Sequence, residues 1–336
     1  MSKDVKIEFI RNYIIENDLW TLPSRTLAKS VVSANTKLFG DYNDINIDLT
    51  RGIIRRLRYS SGSEKATNNK LFAERFHSYQ DPDINDFSPF TIPKTITRLG
   101  VLNDIHIPYQ DKKNLQAAIE YLKAKEIDGL LLNGDIIDCY SLSVFLKDPR
   151  QRNVFDELEM LREFIDGLNY TFNCPIYYKI GNHEERLELT VLRQIPELVH
   201  FVTFENCLAD NGKFDFNEYK LTIIKDKRII KFTDHLSILH GHEYRTGMFN
   251  PVGVARWLYT KARGNAVCGH AHKKDSFAAR DIQGRTIETH SIGCLSEMTP
   301  KYMPLNDWQA GFAFVRRNDD DTYKFSNLLI ENGRVL

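Results

Sequence analysis

The sequence predicts an α/β protein: two packed sheets with helices on their outer faces, preceded by a small helical unit. Three observations support this fold class. Strand-like and helix-like segments alternate from Thr95 onward, shorter strands follow one another after residue 210, and apolar side chains recur at helical spacing in residues 1–60. Alternating strands and helices build a sheet covered by helices, and the later strands supply a second sheet. We therefore divide the chain into a helical, helix-turn-helix-like unit (1–60), a linker that packs on the core (61–94) and a larger domain (95–336).

Each element of the larger domain is predicted from its apolar pattern. In its first half, short apolar runs predict strands at 96–103, 129–133 and 175–180, and amphipathic spacing predicts helices near 112–125 and 153–168. In its second half a helix is expected near 251–262. The strands expected there are 219–224, 228–233, 236–239, 265–268, 275–280, 285–290, 310–316 and 322–330.

Length and composition narrow the classes of function. A chain of 336 residues is long enough for one large domain or two ordinary ones. Lys plus Arg (45) equals Asp plus Glu (45), so the net charge of zero gives no general signal for polyanion binding. The five cysteines form no closely spaced pair, and no apolar run is long enough for a signal peptide or a bilayer span. We expect a cytoplasmic protein with reduced thiols and no membrane partner.

The first 60 residues predict three helices, the last of which is basic. This third helix is expected to start near Asp48 and to carry its arginines on one face: Arg51, Arg55 and Arg58. Three short helices with a basic last helix have the outline of a helix-turn-helix unit that contacts a nucleic-acid backbone. A small bundle with a solvated basic face explains the same pattern, because charge runs usually face solvent.

The linker combines turn formers with aromatic residues. Ser, Asp and Pro favour turns and extended chain here. Five aromatic side chains indicate that the segment packs on the folded core: Phe72, Phe76, Tyr79, Phe87 and Phe90.

Five strand-like segments of the larger domain end in polar residues that can bind a metal. In chain order these are Asp104 with His106, Asp135 with Asp138, Asn182 with His183, His240 with His242, and His270 with His272. Each group alone is a weak signal, since a single histidine near a strand end is more often a satisfied core residue than a ligand. Ligand sites in open α/β sheets lie just outside the carboxyl ends of the strands. The five groups together therefore predict one cluster of Asp, Asn and His side chains.

The joint pattern of these groups resembles the calcineurin-like metallophosphoesterase family. The blocks read Asp-x-His, Gly-Asp-x-x-Asp, Gly-Asn-His-Glu, His-Gly-His and Gly-His-x-His, and the resemblance covers about residues 96–330. It implies a four-layer α/β/β/α sandwich with a two-metal centre. Residues 38–62 also resemble the leader region of phosphoesterases encoded by phages and prophages, which would place the protein in a host cytoplasm.

The resemblance implies a role for each ligand. Asp135 would bridge the two metals, a task that suits a short carboxylate. The first metal would be completed by Asp104, His106 and His272, and the second by Asn182, His240 and His270. The family pattern favours His240 over His242 as the ligand, whereas the residues alone leave both open. Imidazole, carboxylate and amide donors suit manganese, our first expectation, with iron, zinc, cobalt, nickel or magnesium as alternatives.

Proton transfer is the role that the resemblance implies for His183. The family's histidine at this position protonates the leaving-group oxygen, and such a donor contributes about 10²–10⁴-fold. Asp138 matches the position that keeps this imidazole protonated and oriented, with a helix N-cap as its alternative role. The nucleophile would be a water or hydroxide between the metals, whose charge lowers its pKa.

The chain departs from the family's phosphoprotein phosphatases at Cys139. Those enzymes carry an arginine there that holds a monoester dianion, so its absence argues against a protein phosphatase. The residues that would replace it are Arg186, Lys273 or Lys274. Residues that would stack a base or bind phosphate, with packing as the alternative, are Tyr244, Arg245, Tyr302 and Trp308.

Three functions are compatible with these observations. The first is a metal-dependent phosphodiesterase or nuclease that acts on nucleic acid, DNA above all, and holds it with the helical unit. The second is a metallophosphatase of nucleotides or other small phosphoesters, with the helices as a lid or dimer contact. The third is a DNA-binding protein without activity, against which the complete set of ligands argues. The natural substrate, the metal and the oligomeric state are left open.

Overall fold

The computed structural model describes most of the chain in two compact units, Met1–Ile84 and Asn85–Leu336. The described residues are 3–39, 46–60, 87–143, 153–225, 227–244, 253–301 and 303–336. Most of the predicted linker, together with Arg245 and Tyr302, therefore lies outside them.

The first unit contains three helices around a small apolar core of its own. They are α1 (Lys3–Glu16), α2 (Ser24–Phe39) and α3 (Ile47–Ser60). The core residues, all at most 6% exposed, are Ile10, Ile14, Leu27, Ala28, Val31, Ile53 and Ile54. The N-terminus of α3 lies slightly before the predicted start, because the Asn46 side chain caps the helix by accepting a hydrogen bond from the Leu49 amide (2.8 Å).

The second unit contains thirteen strands among its described residues. They are β1 (Phe90–Thr91), β2 (Arg98–Leu102), β3 (Gly129–Asn133), β4 (Ile176–Lys179), β5 (Leu221–Ile224), β6 (Ile230–Thr233), β7 (Leu236–Leu239), β8 (Ala266–Cys268), β9 (Asp275–Arg280), β10 (Thr286–Ser291), β11 (Gly311–Arg317), β12 (Tyr323–Glu331) and β13 (Arg334–Val335). The helices are α4 (Lys112–Ala124), α5 (Val154–Phe172), α6 (Glu185–Gln194), α7 (Phe204–Ala209) and α8 (Val254–Ala262).

The strands form two sheets whose parallel segments bring strand ends together. The first sheet has the order β13-β12-β11-β2-β3-β4-β5, and the second has the order β1-β6-β7-β8-β10-β9. Strands β2 to β5 are parallel, with Leu102 opposite Leu132 and Leu132 opposite Tyr178. Strands β7 and β8 are also parallel, with Leu239 opposite Cys268. The carboxyl ends that precede the five polar groups are therefore aligned within each sheet.

Alternating side chains sort the second unit into four layers. One face of the first sheet packs under α4 and α5, through residues such as Leu130 and Leu161. Its other face meets the second sheet in a core that includes Val101 and Ile238. On the far side of the second sheet, Leu258 of α8 packs with strand residues. The predicted four-layer α/β/β/α sandwich with an N-terminal helical unit is confirmed.

Short elements account for the differences from the predicted boundaries. Strand β1 lies in the segment assigned to the linker, where Phe90 pairs with Ile230 and packs its ring on Tyr177 (5.8 Å between centroids). Strand β13 and helix α7 were not predicted either, since elements this short carry no readable periodicity. No helix among the described residues is long and apolar enough to cross a membrane. The cytoplasmic location stays a prediction.

Candidate metal centre

The five polar groups converge on one carboxylate, that of Asp135. This side chain is 1% exposed and follows β3. Its Oδ2 atom lies 3.3 Å from His240 Nε2, 3.8 Å from His183 Nε2, 4.0 Å from His106 Nε2 and 4.0 Å from His270 Nδ1. An oxygen with four imidazoles around it is in a position to bind two cations at once.

One side of Asp135 is occupied by the first donor group, which comprises Asp104, His106 and His272. Their potential ligand atoms lie within 4.8 Å of one another. His272 Nε2 is 3.4 Å from Asp104 Oδ1 and 3.3 Å from His106 Nε2. The Nδ1 atom of His106 lies 2.9 Å from Asp138 Oδ1. With its proton on Nδ1, His106 turns the Nε2 lone pair toward the other donors, as a metal-binding imidazole does.

The resemblance assigns three residues to the second donor group: Asn182, His240 and His270. The ligand atoms of His240 and His270 lie within 4.8 Å of one another and of the Asp135 carboxylate. His240 Nδ1 donates to the Asn133 carbonyl (2.7 Å), which leaves Nε2 directed at Asp135. The Oδ1 atom of Asn182 is buried and accepts no hydrogen bond among the described residues. A buried amide oxygen without a donor is what a cation would satisfy.

The electrostatics of the cluster favour bound cations. Burial opposes the charged form of Asp135, yet the surrounding imidazoles, His240 first, hold its pKa well below the usual value. Burial likewise disfavours protonated His240, but the Asp135 carboxylate raises the pKa of this histidine to about 10. The buried carboxylates therefore require nearby positive charge, which divalent ions can supply. The donor set fits two such ions.

Left-handed backbone conformations recur at the ligands themselves. Five of the seven predicted ligands have left-handed φ angles: Asp104 (52°), His106 (53°), Asp135 (53°), His270 (65°) and His272 (56°). Such conformations are uncommon outside glycine and persist only where the surroundings enforce them. The ligand loops must therefore be anchored by other contacts.

Glu184 is one such anchor, and its role was not predicted. Its buried carboxylate accepts hydrogen bonds from the backbone amides of Asp135 (3.0 Å), Ile136 (2.7 Å) and Gly181 (2.8 Å), and from the Tyr178 hydroxyl (2.8 Å). The loop after β3 is thereby tied to the loop after β4. The only sequence signal was its place directly after His183.

Two further carboxylates hold neighbouring loops in the same way. Glu243 accepts hydrogen bonds from the His240 (3.1 Å) and Gly241 (2.6 Å) amides and is paired with fully buried Lys179 (2.8 Å). Glu157 of α5 accepts hydrogen bonds from the Cys139 (2.6 Å) and Tyr140 (3.2 Å) amides. Sequence reasoning missed both residues, because contacts across the fold leave no local pattern.

The loops also approach one another closely. A Cβ atom on Gly181 would collide with the Oδ1 and amide nitrogen of Asp135 and would lie 2.9 Å from Glu184 Oε2. Only glycine leaves room for this contact.

His183 lies at the edge of the cluster and is held by Asp138. Its Nδ1 atom is 2.7 Å from the Asp138 carbonyl oxygen and 3.1 Å from Oδ1 of the same residue. Burial disfavours the charged imidazole, but Asp135 and Asp138 outweigh burial and raise the pKa of His183. The carboxylate of Asp138 is shared between His106 and His183, and its pKa is lowered despite burial.

Arg186 is the cation that stands beside this histidine. It donates to the Asp138 carbonyl through Nη1 (2.9 Å) and approaches His183 Nε2 through Nη2 (2.9 Å). Of the three predicted replacements for the missing arginine, Lys273 instead pairs with Asp307. Lys274 donates its backbone amide to Gln309 (3.0 Å).

His242 points away from the cluster. Its Nε2 atom lies 3.0 Å from Glu185 Oε1, whereas His240 faces Asp135. This geometry places the favoured member of the pair, His240, among the donors.

The other predicted contact residues are divided between the site and the fold. Trp308 packs edge-on against His272, with 4.2 Å between ring centroids, whereas Tyr244 packs against Trp257 on the far side of the second sheet (6.0 Å). In the first unit, Arg58 donates to Ser24 Oγ (2.7 Å) and to the Trp20 (2.8 Å) and Leu22 (2.7 Å) carbonyls.

These hydrogen bonds give Arg58 a structural role that its sequence position did not reveal. Arg51 is half-buried, and Arg55 is exposed. The predicted contact of all three arginines with nucleic acid stays a prediction.

Comparison with known proteins supplies the family. A family model for calcineurin-like phosphoesterases matches residues 97–274. The chain is 25% identical over 234 residues to the Gene 54 protein of Mycobacterium phage L5 and 24% identical over 232 residues to that of Mycobacterium phage D29, in each case 65% of this chain and 88% of the relative.

Solved structures that resemble the chain include two phosphoesterases. A dimetal phosphatase from Danio rerio is 11% identical, with 72% of this chain and 98% of that chain covered and a TM-score of 0.36. The phosphoesterase YfcE from E. coli is 14% identical, with 68% and 98% covered and a TM-score of 0.31. The matched family model spans more than half of the chain and includes all five polar groups. The chain therefore belongs to the calcineurin-like phosphoesterase family of metal-dependent phosphoester hydrolases.

Proposed function

We propose that this protein is a two-metal phosphodiesterase that cleaves nucleic acid, with His183 as the general acid. The observation that carries the proposal is the position of Asp135 Oδ2 between the two donor groups, within 4.0 Å of four imidazoles. Asp135 would bind both ions, and each donor group would complete one of them. When bound, the ions supply Lewis acidity and lower the pKa of a water at the reacting phosphorus. Mixed oxygen and imidazole donors make manganese our first choice.

The role of His183 follows from the contacts of its two nitrogens. Asp138 holds Nδ1, so Nε2 is the nitrogen that faces the Asp135 carboxylate at 3.8 Å. The Asp135 and Asp138 carboxylates outweigh burial and raise the pKa of this imidazole, which favours uptake of a proton. A proton held on Nε2 can pass to the oxygen that leaves phosphorus, which stabilises the departing alkoxide.

The charge beside the site fits a diester. A diester carries one negative charge on the phosphate, whereas a monoester is largely dianionic near neutral pH. At the position of the missing arginine, Cys139 is fully buried, and Arg186 places its guanidinium beside His183 Nε2 and the Asp138 carbonyl. Arg186 donates to His183 Nε2 only while that nitrogen is unprotonated, so an incoming phosphate would draw the guanidinium away and let Nε2 take a proton.

Nucleic acid is the diester that the first unit favours. Helix α3 presents two neighbouring exposed arginines, Arg55 and Arg56. Exposed cations of this kind neutralise backbone phosphates without reading sequence. The alternative is hydrolysis of nucleotides or other small phosphoesters, in which these arginines would take no part.

A substrate panel tests the proposal. Labelled single- and double-stranded DNA, a generic phosphodiester and a generic phosphomonoester are incubated with the full chain and Mn²⁺, with Asp135→Asn as the blank. We expect DNA cleavage that disappears in the blank. Turnover of small esters with intact DNA would overturn the nucleic-acid proposal and leave the phosphoesterase in place.

The arginines of α3 are tested in the same assay. The double variant Arg55→Gln, Arg56→Gln should weaken DNA binding and reduce the slope of log affinity against log salt by about 2, one unit for each lost phosphate contact. A matched control is Lys213→Gln, which removes an exposed cation from the second unit. Equal slopes in all three proteins would show that α3 does not contact DNA.

The proposed proton donor is tested with leaving groups of different basicity. His183→Ala should lower turnover about 10²–10⁴-fold for substrates with poor leaving groups and far less for p-nitrophenyl esters, while metal content stays normal. His242→Ala is the matched control, because that imidazole pairs with Glu185 outside the donor set. Equal losses for good and poor leaving groups would contradict the role of His183.

A further inference from the structure

A cavity of about 230 Å³ opens directly beside the first donor group. Part of its wall is formed by His106 and Asp138. Three aromatic residues also line it: Tyr109, Tyr140 and Trp308. The mechanism described above uses none of these rings.

Each ring belongs to a segment that is anchored at the metal centre. The Tyr109 amide donates to the His106 carbonyl (2.6 Å), and the amide of Tyr140, two residues after Asp138, donates to the Glu157 carboxylate (3.2 Å). Trp308 packs its ring on His272. The backbone of Tyr109 and Tyr140 and the ring of Trp308 are therefore held close to the donors, which reduces the ordering that a ligand must induce.

The size and chemistry of the cavity specify a planar, uncharged ring. Pockets for drug-sized ligands range from about 300 to 1,000 Å³, so a volume of about 230 Å³ suits one ring system and not a whole nucleotide. Aromatic walls favour a flat ligand that can stack. Among the described lining residues are two acidic residues, Asp138 and Glu297, and one lysine, Lys301, so a phosphate group is disfavoured there.

We propose that this cavity binds the nucleobase of the nucleotide that adjoins the scissile phosphate. The proposal rests on the proposed function, because it assumes that the phosphate lies at the donor groups. A base in the cavity is in contact with His106 and with the carboxylate that holds His183, so its own phosphate is within reach of the reacting centre. Stacking on aromatic rings tolerates every base, and we expect the enzyme to require a base without selecting one.

Turnover of paired substrates tests this proposal. A dinucleotide is compared with its analogue in which the base next to the scissile phosphate is replaced by hydrogen. The wild type should prefer the complete dinucleotide by roughly 10- to 100-fold in kcat/KM, the range expected for one stacked base. This preference should fall to about 1 in Trp308→Ala and Tyr140→Ala and should persist in part in Trp308→Phe and Tyr140→Phe.

Two features of the design separate stacking from damage to the fold. The readout is the ratio between two substrates on one protein preparation, so a general loss of activity cancels. Tyr170→Ala, which removes a ring that is 91% exposed on α5, should keep the wild-type ratio. A ratio that stays unchanged in both Trp308→Ala and Tyr140→Ala would overturn the proposal, even if DNA cleavage itself is verified.

A binding measurement decides the case in which the wild type cleaves no nucleic acid. Adenosine is titrated against the metal-free full chain, tryptophan fluorescence is followed, and ribose serves as the ligand control. We expect saturable quenching by adenosine that is absent in Trp308→Phe and about 10- to 100-fold weaker in Tyr140→Ala. Quenching with this pattern would support the cavity as a base site although the nuclease proposal had failed. Absence of saturable quenching in the wild type would overturn the proposal that the cavity binds a base.

Discussion

The two donor groups of the metal centre differ in their exposure to solvent. In the first group, Asp104, His106 and His272 are at most 7% exposed. In the second group, His240 is fully buried, but the His270 side chain is 38% exposed and Asn182 is half-buried. The ligand side chains of the first group are shielded from water, whereas those of the second group are partly in contact with it. The difference teaches that two positions built around one bridging carboxylate need not hold their ions equally tightly.

Replacement of the proposed bridging residue, Asp135, should abolish metal binding at both donor groups. In Asp135→Asn the neutral amide leaves four imidazoles without their carboxylate, so both ions should be lost. We expect turnover to fall by at least about 10³-fold, since metal activation contributes several kcal/mol. Metal analysis of the purified variant and its circular dichroism spectrum check the loss of ions and the survival of the fold. Two bound ions with normal turnover would show that Asp135 does not bridge.

Removal of one ligand from each group should sharpen the comparison. His272→Ala should empty the enclosed position and also release Trp308, whereas His270→Ala should empty only the open position. Titration of the metal-free variants with Mn²⁺ by calorimetry should therefore leave one binding step in each, with the tighter step retained in His270→Ala. If the retained step is the weaker one, the assignment of tight binding to the enclosed group is reversed.

A smaller effect is expected when an anchor is altered and the ligands are kept. Glu243→Gln weakens the hold on the His240 and Gly241 amides and breaks the pair with Lys179. Changes of this kind outside the ligand set lower metal affinity about 10- to 100-fold. The loss should fall on the second group alone. Glu288→Gln, at an exposed carboxylate of β10, is the matched control. An equal loss at both positions would indicate a general loosening of the fold.

The smallest effect concerns Glu157, which anchors the loop after Asp138 and touches neither group. Burial, with repulsion from Asp138, raises the pKa of Glu157 from 4.5 to about 7. Between about pH 4.5 and 7, the folded protein therefore keeps a proton on Glu157 that the unfolded chain releases. The contribution of Glu157 to the free energy of unfolding falls as the pH rises through that window.

The amide in Glu157→Gln cannot titrate, so the difference in Tm between wild type and variant should fall by a few degrees from pH 5 to pH 7. Thermal melts of both proteins across this range provide the measurement. A difference that is constant with pH would show that Glu157 is ionised throughout.

The sequence predicted the donor residues but not the residues that anchor their loops. Each donor follows a short apolar run, and parallel pairing aligns the ends of such runs, so the apolar pattern predicts that Asp104 and Asp135 lie in one cluster at the same edge of the sheet. The anchor Glu157 lies in a helix, 18 residues from the amide it binds at Cys139, and looks like any other acidic residue. Arg58 was grouped with Arg51 and Arg55 by spacing alone, because helical spacing cannot reveal that a distant carbonyl lies within reach.

The hydrogen bonds of Glu184 and Glu243 have a consequence for which metal ion the centre binds. Both hold their loops through backbone amides and lie outside the donor set, so the dimensions of the centre are fixed before an ion arrives. The affinity of mixed imidazole, carboxylate and amide donors for divalent ions increases from manganese to copper, so the ion that is bound depends on which metals are available. We expect the resident ion, and with it the activity, to follow the composition of the metal pool that surrounds the protein.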